Sequence, residues 1–205
     1  MHKITAILIA MLVMVAGATS QTTWNGDRSH SHVKFAVTHL LISEVEGRFT
    51  DFSAKLQQPK DDDFTGSTLE ATIKTASINT DNEGRDRHLR SDDFFNTDSF
   101  PEIRFTSTAF EKTGKDTYKI TGALTMRDVT KPVVLDAKFG GQMTDKSGNT
   151  KAGFKATTTI DRFEFGVKWA AALEAGGLVA SKDIQVTMLM ELNKQKPPSA
   201  TEEKK

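Results

Sequence analysis

Beyond residue 20 this 205-residue chain carries four histidines: His30, His32, His39 and His88. In an extended strand, His30-Ser31-His32 places two imidazoles on one face, which suits zinc or copper once a third ligand approaches. No companion such as H-E-x-x-H is present, and H-x-H arises often by chance, so a metal-dependent enzyme built on His30 and His32 is the minor reading and no metal ligands are assigned. Asp27, His30 and Ser31 hold the residue types of a hydrolytic triad. Residues that close in one strand do not converge, and nothing resembles a G-x-S-x-G elbow. Asp and Glu are abundant enough for a glycosidase pair, but abundance is not a pattern. With no Cys in the chain, thiolate catalysis, disulfides, Cys-type zinc sites and iron–sulfur clusters are excluded. No catalytic residues are expected.

The densest run of chemistry-bearing residues is Asn82 to Asn96, NEGRDRHLRSDDFFN. Its mixed charge does not make a phosphate-binding patch. Good helix formers without alternation predict a short helix from Glu83 to Phe94, in which residues three and four apart can pair. Such a helix caps one end of a larger body, anchored by Leu89, Phe94 and Phe95, or serves as a lid over a cavity. A second helical or irregular piece is expected over Gly166 to Ala175, ended by Gly176-Gly177.

What positions these segments is a chain written in strands. Val33, Phe35 and Val37 alternate with polar or small residues, as do Leu69, Ala71 and Ile73, and Ile184, Val186, Met188, Met190 and Leu192. That period marks sheets with one apolar and one solvated face. About eight strands are expected, over 22–28, 31–39, 44–56, 66–80, 102–112, 116–127, 132–143 and 150–161, with 182–193 as a ninth or closing strand. At about 3.3 Å per residue the last would run roughly 40 Å, more than a small sandwich needs. An all-β, extended antiparallel barrel with short helices at its ends therefore outranks an open sandwich, since closure removes the sheet edges. Small inward residues such as Ala71, Gly122, Ala156 and Thr158 are expected to leave space among larger ones.

The ends read differently. Residues 1–20 show a charged start, an apolar run from Ile4 to Val15 and then small residues, the pattern of a secretory signal peptide rather than a membrane span. Residues 21–193 are expected to form one domain, and residues 194–205, KQKPPSATEEKK, a disordered tail. A periplasmic or secreted chain without stable membrane insertion follows. Lys and Arg number 27 against 27 Asp and Glu, a balance that argues against a nucleic-acid partner. Thirteen of the sixteen aromatics are Phe, so large apolar area comes almost entirely without polar handles.

Placed in order, several motifs resemble the YceI-like family. They include Trp24-Asn25-Gly26-Asp27, Phe35-Ala36-Val37-Thr38-His39, Gly47-Arg48-Phe49 and Ala76-Ser77-Ile78-Asn79-Thr80. The Arg85 to Phe95 run, Phe100-Pro101-Glu102-Ile103-Arg104-Phe105 and the G-x-L-T segment from Gly122 to Val133 continue the series. The resemblance spans about residues 22–193. It implies a lipocalin-like barrel, usually exported and often dimeric, that binds a polyisoprenoid or isoprenoid quinone as a carrier and not as an enzyme, with no cofactor besides that ligand. A lumen matching such a tail would comprise Phe35, Val37, Phe49, Leu69, Ile73, Phe105, Leu124, Met126, Phe154, Met188 and Met190. Phe163, Phe165 and Trp169 would close one end, Phe94 would join the ligand-binding set, and His39, Arg85 and His88 would meet a polar head or act as a gate. A barrel filled by its own side chains, serving a structural role, is the remaining alternative.

Overall fold

The computed structural model describes residues 21–61, 63–174 and 176–196. The expected signal peptide and residues 197–205 of the expected tail lie outside the described residues. The strands are β1 (Thr22–Gly26), β2 (His32–His39), β3 (Ser43–Phe49), β4 (Phe52–Gln58), β5 (Thr68–Lys74) and β6 (Ile78–Asn79). After the helix α1 (Glu83–Arg90) come β7 (Glu102–Lys112), β8 (Thr117–Met126), β9 (Val129–Thr144), β10 (Thr150–Asp161) and β11 (Ala180–Lys194). β11 thus takes in Lys194, the first residue of the expected tail.

Around the wall the order is β1/β2, β3/β4, β5/β6, β7, β8, β9, β10, β11 and back to β1/β2, every neighbour antiparallel. This is a closed eight-stave barrel whose first three staves are each broken in two. β11 closes it by pairing β2 through Val37↔Ile184 and β1 through Trp24↔Lys194.

The breaks correct the expected continuous strands 44–56 and 66–80. Gly47 and Phe49 face inward on β3, but on β4 the inward residues are Phe52, Leu56 and Gln58. The parity slips by one residue at Thr50–Asp51, and a strand keeps its face only while its parity holds. A 3₁₀ turn, Thr75–Ser77, interrupts the next stave at the same height. The two breaks hold each other, with Thr50 N donating to Ser77 O at 3.1 Å and Lys74 N to Asp51 O at 2.9 Å. The helix is also shorter than expected. Asn82 caps its start by accepting from Arg85 N at 2.9 Å, and it stops at Arg90 because Ser91 turns extended. Phe94 and Phe95 follow in turns, and Gly166 onward is irregular after a 3₁₀ turn, Arg162–Phe165.

The end bearing the β9–β10 turn is filled with rings and forms a floor. Phe64, from the β4–β5 connection, stands edge-on to Phe154 at 4.9 Å and lies 5.4 Å from Phe139 and 5.8 Å from Trp24. Trp24 is fully buried, its indole Nε1 donating to Gln58 Oε1 at 2.8 Å. Higher up, rings cover glycines. A Cβ on Gly122 would run into the Phe105 ring and one on Gly47 into that of Phe35. Contrary to expectation, Gly122 leaves no free space, because Phe105 fills it.

Outside the wall, Asp27 sits in the turn between β1 and β2. Its carboxylate accepts from Ser29 N at 3.0 Å and Ser29 Oγ at 2.5 Å, with His30 Nδ1 at 3.1 Å. Those bonds, Ser29 first and His30 next, hold it well below the usual carboxylate range.

Two outcomes are expected. Gly122→Val should cost about 1–3 kcal/mol through overpacking against Phe105, read as a lowered urea midpoint. Because Asp27 titrates low when folded, its contribution is complete above the unfolded value of about 3.9 and is lost as pH falls below it. Asp27→Asn should therefore be less stable at neutral pH and show a flatter loss of stability between roughly pH 4 and pH 2.

Candidate functional site

Above the ring-filled floor the barrel holds a cavity of about 330 Å³. Its wall is made by residues of nine strands, β2, β3 and β5 to β11. Phe35 and Val37 of β2, Phe49 of β3, Leu69 and Ile73 of β5, Phe105 of β7, Leu124 and Met126 of β8 and Met188 of β11 all line it. Alternation also brings in Ile103, Val133, Leu135, Ile160, Ile184 and Val186. These share faces with residues singled out from the sequence, so the same period could have found them. Among the described residues, no Asp or Glu lines the cavity.

Other expected lumen residues lie elsewhere. Phe154 and its register partner Met190 sit below the cavity, where Phe154 packs with Phe64 and Phe139. Alternation tells which face a side chain takes but not its height along the stave. Phe163 and Phe165 do not line the cavity either. Phe165 is buried in the core, and the Phe163 ring lies 4.3 Å from the Arg162 guanidinium. Arg162 takes the inward place instead, 5 % exposed, with Nε donating to Ser181 O at 3.0 Å, Nη1 to Trp169 O at 2.6 Å and Nη2 to Ala180 O at 3.1 Å. Burial pulls its ionisation below the ordinary arginine value, against the opposing pull of Asp161. Arg162 stitches the irregular segment to the start of β11. Nothing in the alternation marks it, because it sits in a turn.

The excursion between β6 and β7 covers the mouth with Arg85, His88 and Leu89 of α1 and with Phe94 and Phe95. His39 and Trp169 complete the rim. Arg85 and His88 already have partners. Arg85 donates through Nε to Thr80 Oγ1 and through Nη2 to Thr80 O, both at 2.8 Å, while Asp86 accepts from Thr80 N at 2.9 Å. His88 Nε2 pairs with Asp93 Oδ2 at 2.9 Å, and its ring stands edge-on to Phe94 at 5.0 Å and to Trp169 at 6.0 Å. Arg90 ties the helix down by donating to Ala76 O at 2.9 Å and Ile78 O at 2.7 Å. Arg127 reaches over from the β8–β9 turn to Asp92 O at 3.0 Å and to Phe94 O. These bonds make the cover a fixed part of the fold whose apolar underside faces the cavity.

The histidine pair expected to share one strand face is not assembled. His30 lies in the turn before β2, and only His32 belongs to the strand. His30 meets Asp27 and, at 3.6 Å, Glu191. The ammonium of Lys151 already stands against these carboxylates, 2.5 Å from Glu191 and 3.4 Å from Asp27. That lysine supplies the positive charge a metal ion would otherwise bring, outside the barrel and away from the cavity.

Comparison with known proteins agrees with this geometry. The description "YceI-like domain" matches residues 24–192. A UPF0312 protein of Staphylococcus aureus (strain USA300) is 35% identical over 165 residues, covering 80% of this chain and 93% of its own. The crystal structure of the Campylobacter jejuni YCEI protein superposes with a TM-score of 0.64 at 35% identity, covering 78% of this chain and 90% of its own. A polyisoprenoid binding domain from Saccharophagus degradans shares the fold, with a TM-score of 0.59 at 14% identity, over 84% of this chain and 98% of its own. Matched in sequence and shape along nearly the whole barrel, the chain belongs to the YceI-like family.

Proposed function

We propose that this protein is an exported carrier that holds a long apolar molecule of the isoprenoid class, a polyisoprenoid or an isoprenoid quinone, in the barrel lumen. The observation that carries this reading is the cavity itself, floored by rings, roofed by the α1 excursion and walled almost wholly by hydrocarbon side chains. An isoprenoid tail offers no hydrogen bonds, so an apolar wall is its matching surface. Each buried CH₂-sized unit contributes roughly 0.8 kcal/mol, so one five-carbon isoprene unit brings about 4 kcal/mol. A few such units offset an association cost of about 4–15 kcal/mol. The polyisoprenoid binding domain of Saccharophagus degradans supports the assignment through the shared fold.

Binding is favoured over catalysis because Arg85 and His88 at the mouth are hydrogen-bonded to Thr80 and Asp93, and among the described residues no Asp or Glu lines the cavity to work with His39. The export half of the reading rests on the amino-terminal charge, apolar run and small residues of 1–20.

Organic extraction of natively expressed protein should release one apolar isoprenoid-type molecule per chain, identified by mass spectrometry. Ala71→Phe, which fills the cavity from β5, should fold with an unchanged far-ultraviolet spectrum and carry far less of it. Protein that is reproducibly empty when purified without detergent would overturn the carrier reading. A chain recovered outside the cytoplasm with its first twenty residues intact would overturn the cleaved-signal part.

A further inference from the structure

The turn joining β2 to β3 is Leu40-Leu41-Ile42, and these side chains are 39%, 64% and 85% exposed. Among the described residues, the other exposed large apolar side chains, Val134, Met143 and Leu189, stand apart from one another on β9 and β11. Isolated apolar residues on a surface are ordinary, but a contiguous apolar tip calls for an explanation. The backbone makes the choice of residues stranger. Leu40 and Leu41 both take left-handed angles, with φ of 53° and 64°, and Ile42 N donates to His39 O at 3.2 Å. A tight hairpin turn of that hand favours Asn-Gly, and leucine there costs stability. Folding does not select Leu-Leu-Ile at such a place.

Its position gives the reason. Val37 and His39, which lead into the turn, line the cavity, as do Val179 and Ala180 opposite them. Leu40 N donates to Val179 O at 2.8 Å, and a Cβ on Gly177 would lie 3.5 Å from Leu41 Cδ1. The apolar tip therefore stands at the rim of the apolar cavity. We infer that Leu40-Leu41-Ile42 is a membrane-docking tip, which inserts into the surface of a lipid bilayer and sets the cavity mouth against it. Three side chains expose at most a few hundred Å², whereas a stable dimer buries roughly 800 Å² per partner, so a second copy is a poor occupant. Glu44 and Glu46, exposed on the adjoining strand, add negative charge beside the tip. Insertion is thus driven by apolar contact, and its strength is insensitive to salt. Transfer of cargo through this contact rests on the proposed lipid ligand; the docking itself does not.

The chain contains no Cys, so one introduced thiol carries a unique probe. Ile42→Cys labelled with a polarity-sensitive fluorophore is mixed with phosphatidylcholine vesicles, with Ser147→Cys in the β9–β10 turn at the opposite end as control. The tip label should shift to the blue and the protein should float with the vesicles, equally at low and high salt, while the control label stays unshifted. Leu41→Ser combined with Ile42→Ser should lower the floating fraction by roughly tenfold with an unchanged melting curve. Absence of flotation would overturn the inference, as would equal shifts at both labels. So would a tip signal that follows protein concentration rather than lipid, which would make the tip a contact between copies. Because flotation does not require cargo, its failure leaves the extraction result standing, and an empty cavity leaves the docking standing.

Discussion

β11 carries the architecture because it pairs with β10 on one side and with both β1 and β2 on the other. Without that double pairing the staves would form an open sheet with two bare edges. With it, every inward residue is shut away from water and must find apolar company, and every outward residue is free to be charged. The excess of phenylalanine over tyrosine and tryptophan suits a shell-and-lumen arrangement of that kind, since a phenyl ring brings apolar area with no polar group to satisfy. The largest polar groups that enter the interior do so with their bonds made, Trp24 with Gln58 and Arg162 with three backbone carbonyls.

Much of this was legible from residue order. Alternation identified the inward faces of β2, β5, β7, β8 and β11, and the ordered motifs pointed to the family that the comparisons then showed. The parity slip between Phe49 and Phe52 was also written in the sequence, but two short alternating runs end to end look like one long strand unless the phase is followed through the join. Phe154 and Met190 illustrate a different limit, since period two fixes a face and leaves depth undetermined. Phe64 and Arg162 were missed because both lie in connections, where no period exists and the inward direction is set by tertiary contacts alone.

The cover over the mouth shows how a charged segment can serve an apolar site. Arg85, Asp86 and Arg90 direct their polar ends back to the Ile78–Thr80 stretch, and Arg127 holds the following turn from the far wall. The apolar part that faces inward is Leu89, Phe94 and Phe95, beside the hydrogen-bonded Arg85 and His88. The charge that made this run conspicuous in the sequence is spent on attachment.

One ring of the floor has a separate origin from the wall. Phe64 comes from the connection between β4 and β5, held in shape by Asp63 accepting from Thr65 N at 3.1 Å and Thr65 Oγ1 at 3.0 Å. Connections change length far more readily than barrel staves. The depth available to a guest is therefore set in part by a connection rather than by the staves alone, so that one barrel frame can be regauged, like a ruler with a movable stop, for tails of different length.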